Sequence, residues 1–348
     1  MKPSKPDIQQ ISKCIENQTE PEPFSGVVYV TKGNEVLFAE ASGPAIRSDV
    51  IPNKIDTRFQ IASGSKTFTA VAICRLVQQG KLKFDTRLNE CSGIEFPKYA
   101  PDITIHHLLT HSSGITSYYD EEINPDYAAV WRDFPMYNVR KPADYLPLFR
   151  DNTMKFTPGK MFSYNDGGYV LLGLIIEYIT GLSFSTYIAQ NVFKPAGMED
   201  SGYFATDQLP QRTAYAYIKN TDGTWRTNFF AVPIVSAPDG GVYTTAPDMA
   251  RFWKTLIENK LLSAGLTHQL LTTQIATSWN PPYTGYGYGI WIERCQDTVS
   301  KYSLEGSDPG VAFRSSFYPE KDLVLTLIGN TEKALWPLYK KIEEFVIP

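Results

Sequence analysis

The sequence predicts an α+β fold in which one sheet is assembled from both ends of the chain and a largely helical lobe is inserted between them. Three observations predict it. Runs suited to strands gather before residue 61 and after residue 285, and helical periodicity dominates the middle. A chain of 348 residues also buries a core large enough for two lobes. We place the α/β lobe at about 7–85 and 240–348 and the helical lobe at about 86–239, all within one unit spanning 1–348.

Taken in order, residues 7–17 read as a first helix. Gly26–Thr31 and Glu35–Glu40 follow as two strands joined by a turn at Lys32-Gly33-Asn34. After Ile61 a mostly apolar segment runs through Phe68, Val71, Ala72, Ile73 and Leu76 to a stop at Gly80, a helix beginning near Ser63. Pro101–Ile115 starts with a capping signal, becomes helical and ends in a polar turn containing glycine. Residues 116–149 are irregular, with Tyr118, Tyr119, Tyr127, Trp131, Phe134 and Tyr137 among acids and prolines. Such a stretch either walls a site or packs as its own aromatic cluster. Helices are then expected at Tyr169–Tyr178, closed by Gly181, at Ser185–Val192 and at Pro247–Glu258. Strands are expected at Tyr286–Ile292, Lys301–Leu304, Val311–Tyr318 and Leu323–Ile328, and a last helix at about Lys333–Phe345.

Composition narrows the partners. Hydrophobic residues make up 43% and charged residues 20%, the balance of a soluble globular protein. A net charge of -4 and a pI near 5.7 give no electrostatic reason to expect nucleic acid or an anionic membrane, so a small-molecule substrate is expected. Met1–Gln18 has no continuous apolar run, and no segment is long enough to span a bilayer. The expectation is a cytoplasmic chain, or a periplasmic or extracellular one if a leader was removed; the oligomeric state is left open. Cys14, Cys74, Cys91 and Cys295 lack the spacing of a metal site or a disulfide framework, so reduced thiols are expected.

The chemistry centres on Ser63-Gly64-Ser65-Lys66. Lys66 lies one helical turn above Ser63 on the same face, and Ser63 is the only serine with a lysine three positions later. A serine hydroxyl needs a base to become a nucleophile, and a lysine at this spacing can take or relay its proton. On these residues alone, a capping serine followed by a surface lysine stands as an equal reading.

Further stretches resemble the serine beta-lactamase and penicillin-binding-protein superfamily, in particular its class C-like and esterase-like branch. They are Leu108-Leu-Thr-His-Ser-Ser-Gly-Ile115, Pro158-Gly-Lys-Met-Phe-Ser-Tyr-Asn-Asp-Gly-Gly-Tyr169, Leu171-Leu-Gly-Leu-Ile-Ile-Glu177 and Gly240-Gly-Val-Tyr-Thr-Thr-Ala246, in order after Ser63–Lys66. The resemblance implies an antiparallel sheet flanked by helices, a mostly helical lobe and a site between the lobes. It implies Ser63 as nucleophile, Lys66 and Tyr164 as activating groups, and main-chain N–H groups of Ser63 and Ser307 as the oxyanion hole. It requires no cofactor and no metal.

Two departures bear on substrate. Asp166 stands where the family motif Tyr-x-Asn ends in asparagine; a carboxylate only accepts hydrogen bonds, so it is expected to pair with Lys66 and keep it charged. The third motif reads Leu304-Glu305-Gly306-Ser307, without the cation that relatives place two residues before the glycine. Loss of that cation disfavours penicillins and peptides ending in a free carboxylate, and favours esters, amides or substrates with a free amine, for which Asp166 or Glu305 would supply the contact. Three functional readings follow: an esterase or amidase working through an acyl-enzyme; a D-amino-acid peptidase, amidase or penicillin-binding protein; and a catalytically silent binding protein on the same fold. No Gly-x-Ser-x-Gly occurs, and His106, His107 and His111 lack a His-Glu-x-x-His pattern; His111 is expected to make structural hydrogen bonds. Gly285-Tyr-Gly-Tyr-Gly289 lacks the strand-to-helix context of a dinucleotide loop and reads as close strand packing.

Overall fold

The computed structural model describes residues 9–347 apart from 20, 121, 122, 124, 125 and 279–281. Helix α1 spans Gln9–Glu16; residues 7 and 8 of the expected first helix lie outside the described residues. Strands β1 (Gly26–Lys32) and β2 (Glu35–Ser42) form the expected hairpin, with Gly33 at φ +54° in its turn. Helix α2 (Lys66–Gln78) follows a 3-10 turn over Ala62–Ser65, so Ser63 sits on the turn entering the helix and not inside it. Helix α3 (Asp166–Thr180) begins at Asp166 instead of Tyr169, because Asn165 Oδ1 accepts from the Gly168 N–H at 2.8 Å and caps it there. Gly181, at φ +68°, ends it as expected. Helix α4 covers Ala246–Ile257. The C-terminal segment supplies β3 (Ile275–Ala276), β4 (Gly285–Tyr286), β5 (Trp291–Cys295), β6 (Thr298–Asp308), β7 (Val311–Tyr318), β8 (Leu323–Gly329) and helix α5 (Leu335–Val346).

These eight strands make one antiparallel sheet in the order β2-β1-β8-β7-β6-β5-β4-β3. Strands from the two halves of the chain meet next to the β2 edge, where Gly26 pairs with Gly329 and Lys32 with Leu323. Alternation along the central strands feeds two cores. Val28, Val30, Leu323, Leu325 and Leu327 face one side with Ile11 and Ile15 of α1 and Leu335, Leu338, Tyr339 and Ile342 of α5. Val27, Val324 and Ile328 face the other, larger core with α2, α3 and α4. Because both faces are covered, Leu323–Ile328 reads as an apolar run broken only by Thr326, which is itself buried.

The expected single strand Tyr286–Ile292 is two strands and a turn. Gly289 takes φ +73°, and a Cβ there would lie 3.0 Å from the Lys66 carbonyl oxygen and from Thr67 Cα. Gly289 thus lets this hairpin press against α2, while Cβ atoms at Gly285 and Gly287 would meet Thr273 and the Leu270 carbonyl instead, so the glycines serve close packing. Helix α2 is buried on nearly every face, with Phe68 held edge-on between Phe193 and Phe252 at centroid distances of 5.1 and 5.0 Å. The 116–149 stretch answers to both of its expectations among the described residues. Trp131 and Tyr145 are buried 6.1 Å apart, and Tyr118, Tyr119, Tyr127 and Tyr145 wall the cavity described below. The four cysteines are all free, and among the described residues no single helix is long and apolar enough to cross a membrane.

Candidate active site

The turn carrying Ser63 is forced into shape from several directions. Ala62 adopts φ +45°, a left-handed conformation that costs a side-chain-bearing residue about 1 kcal/mol. It is held there because its carbonyl accepts from Ser65 Oγ at 2.8 Å and from the Gly241 N–H at 3.0 Å, while Ser65 Oγ accepts from the Val242 N–H at 2.9 Å. A Cβ on Gly64 would lie 2.5 Å from the Phe313 ring, and one on Gly306 would lie 2.0 Å from the Ile61 carbonyl and 2.9 Å from Ser63 N. Strand β6 is thus packed directly on the turn. Ser63 remains partly open to a cavity of about 380 Å³, which is also lined by Tyr164, Asp166, Asp239, Ser307 and Asp308.

Lys66 is 1% exposed and its ammonium is fully engaged. It donates to Ser63 Oγ at 3.0 Å, to Asp166 Oδ1 at 2.6 Å and to the Asp239 carbonyl at 2.6 Å. Burial alone would push its pKa down, but Asp166, Tyr164 and Asp239 outweigh burial and hold it well above the usual lysine value. Tyr164 lies with its ring centre 4.9 Å from Lys66 Nζ. Burial pushes its phenol up to about 12, against the opposing pull of Lys66 and of hydrogen bonds with Ser63 and Lys66, and Asp166 adds to the rise. The ring is fixed by stacking on Trp291 at 6.0 Å and by His111 at 4.3 Å.

His111 has the structural role expected of it. Its Nδ1 accepts from the Asn165 N–H at 3.0 Å, which leaves Nε2 to donate to Tyr286 Oη at 3.2 Å. Burial and the nearby Lys66 hold its pKa well below the ordinary value, so it stays neutral. His106 meets the Tyr288 hydroxyl at 2.9 Å, and His107 Nδ1 accepts from the Thr104 N–H at 3.2 Å.

The structure thus brings Ser63, Lys66, Tyr164, Asp166, Gly306 and Ser307 together. Glu305 is the correction. Strand alternation turns it to the face opposite Leu304 and Gly306, where it pairs with Arg314 on the neighbouring strand and accepts from the Tyr283 hydroxyl. It does not line the cavity. Leu304, in the place of the family cation, is 2% exposed and belongs to the larger core. Sequence reasoning missed Asp239, whose carbonyl holds Lys66 and whose Oδ2 accepts from Tyr118 Oη at 2.6 Å. It also missed Asp308 and Glu332. The only signal was their position beside recognised motifs, Asp239 before Gly240 and Asp308 after Ser307.

An antiparallel sheet backed by helices, with a serine and a lysine sharing a hydrogen bond on the turn into the central helix, defines a serine hydrolase of the beta-lactamase/transpeptidase fold. The comparisons agree, and the chain belongs to the Beta-lactamase family, whose model matches residues 12–339. It is similar to the penicillin binding protein from Bacillus halodurans, at 43% identity and a TM-score of 0.91 over 96% of this chain and 99% of that one. Penicillin-binding protein 4* of Bacillus subtilis (strain 168) is 25% identical over 93% of this chain and 72% of its own length. Esterase EstB of Burkholderia gladioli is 32% identical over 55% of this chain and 49% of its own.

Proposed function

We propose that the protein hydrolyses small carboxylic esters or amides through an acyl-enzyme on Ser63. The observation that carries this is the position of Lys66 Nζ, 3.0 Å from Ser63 Oγ and locked by Asp166 and the Asp239 carbonyl. A lysine held charged in this way is a poor proton acceptor, so the acting base is the Tyr164 phenolate, the minor form that the adjacent Lys66 charge favours; it takes the Ser63 proton as Oγ adds to the carbonyl carbon. The oxyanion enters the space beside Ser63 N and Ser307, where main-chain donors receive it. The leaving alcohol or amine takes its proton from Tyr164, and water then hydrolyses the ester on Ser63 and returns the free serine.

Substrates ending in a carboxylate fit poorly. Leu304 supplies no cation, and Asp166, Asp239 and Asp308 oppose a second negative charge. The test is hydrolysis of p-nitrophenyl butyrate by the parent and by Ser63→Ala, with intact-mass detection of the acylated chain. Turnover and an acyl adduct that both vanish in the variant support the reading. Absence of both in the parent refutes it and leaves a binding protein on this fold.

A further inference from the structure

The hydrolase reading leaves one wall of the cavity unexplained. Among the described residues its carboxylates are Asp120, Asp126, Asp166, Asp239, Asp308 and Glu332, and no lysine, arginine or histidine lines it. Three of these have cations of their own: Asp166 pairs with Lys66, Asp120 with Lys155, and Asp126 with Arg132. Asp239, Asp308 and Glu332 form no ion pair among the described residues.

A second observation singles out Asp239. It is 5% exposed, and while Oδ2 accepts from Tyr118, Oδ1 is buried with no hydrogen-bond partner. A buried carboxylate oxygen without a donor, facing other carboxylates, is a costly arrangement that an incoming cationic donor relieves. A metal ion is a poor candidate for that donor, because no three acidic, histidine or cysteine side chains among the described residues converge as ligands.

Position fixes where on the substrate the cation must be. A Cβ at Gly240, next to Asp239, would lie 3.9 Å from Ser63 N, and one at Gly306, two residues before Asp308, would lie 2.9 Å from it. Both carboxylates therefore sit within one or two residues of backbone that touches the nucleophile, each step being about 3.8 Å. A cation held there is close to the carbonyl under attack.

We propose that the substrate is a short aminoacyl ester or amide whose free ammonium is held between Asp239 and Asp308, with Glu332 behind them. This rests on the acyl-enzyme reading and names its substrate class. The titration of the wall fits it. Burial and Asp166 push Asp239 up to about 7, opposed by Lys66 and the Tyr118 hydrogen bond. Burial, Asp166 and Asp239 push Asp308 up to about 8, with Glu332 adding and Lys66 opposing. Burial raises Glu332 as well, against Lys333 and the Gly310 N–H, with Glu22 adding. An ammonium favours the ionised form of all three, so its binding releases protons and strengthens as pH rises toward about 7, until the α-amine, which titrates at about 7.7, begins to lose its own charge.

The experiment compares alanine methyl ester with N-acetylalanine methyl ester, both enantiomers of each, alongside labelling of Ser63 by a neutral fluorophosphonate. The expected result is kcat/KM at least about tenfold higher for the free amine in one enantiomer, the size of one charge-assisted contact. Its KM should fall between about pH 5 and 7 and rise again above about pH 8 as the amine loses its proton, while that of the acetylated ester does neither. Asp308→Asn and Glu332→Gln should each shrink the ratio between the two esters, and the second variant serves if the first does not fold. Labelling of Ser63 with equal rates on the two esters, with preference for the acetylated one, or with turnover of neither overturns the ammonium site and leaves the acyl-enzyme standing. No labelling and no turnover removes both.

Discussion

Replacing Asp166 by asparagine tests the arrangement of charge around the nucleophile. Lys66 Nζ lies 4.9 Å from the centre of the Tyr164 ring. At that range, in a medium of effective dielectric about 20, a unit charge is worth about 3 kcal/mol, or roughly two pH units, to the phenolate. Burial and the Asp166 carboxylate offset that pull and keep the phenol up at about 12. Asparagine keeps an oxygen near Lys66 but removes the charge that repels the phenolate, so the Tyr164 proton leaves at a lower pH. Lys66 loses the anion that raises it and moves in the same direction. The assay is the pH dependence of kcat/KM for p-nitrophenyl butyrate. A base must be deprotonated to act, so the rising limb of the variant is expected at lower pH than that of the parent. A cost of about 1–3 kcal/mol in stability should accompany it, since a buried ammonium loses its counter-charge while keeping a hydrogen bond. A folded variant whose limb is unmoved, or moves to higher pH, refutes the account in which Asp166 sets the protonation of the pair.

Three further outcomes follow from the geometry. Gly306→Ala places a methyl 2.0 Å from the Ile61 carbonyl, so the Ser63 turn must shift, and turnover of the butyrate ester should fall by about 100-fold or more with a lowered Tm. Asp308 is raised to about 8 in the fold from an unfolded value near 4, so its contribution to stability is complete below about pH 4 and is lost as pH rises to about 8. Asp308→Asn should therefore raise Tm at about pH 8 more than at about pH 5, which thermal melts at the two pH values check. His111→Ala removes the ring 4.3 Å from Tyr164 and the acceptor for Asn165 N–H, so both kcat and Tm should drop. In the parent, NMR should show no His111 titration between about pH 5 and 8.

What the sequence disclosed follows from how local each signal is. Ser63 and Lys66 are one helical turn apart, and their spacing alone puts them on one face; Tyr164 lies in a loop whose place was legible only through neighbouring motifs. The β1–β2 hairpin and the strands Val311–Tyr318 and Leu323–Gly329 were legible because turn residues bound segments rich in β-branched, aromatic and other apolar residues. The turn at Gly289 was not legible because that glycine answers to helix α2, far away in sequence. Glu305 was assigned to the site because it neighbours Gly306, yet strand pleating turns adjacent side chains to opposite faces. Asp239, Asp308 and Glu332 were invisible for the opposite reason. Each stands in an unremarkable turn or strand end, and they acquire meaning only where three separate segments meet.

The pairing of Gly26–Lys32 with Leu323–Gly329 also sets an order of events in synthesis. The nucleophile turn emerges early, but the β6 backbone that presses on it at Gly306 comes from the last part of the chain. Contacts of such sequence separation form late and slowly. A chain still emerging from the ribosome carries Ser63 without its buttress, and the nucleophile takes its strained shape only once the final strands have closed the sheet.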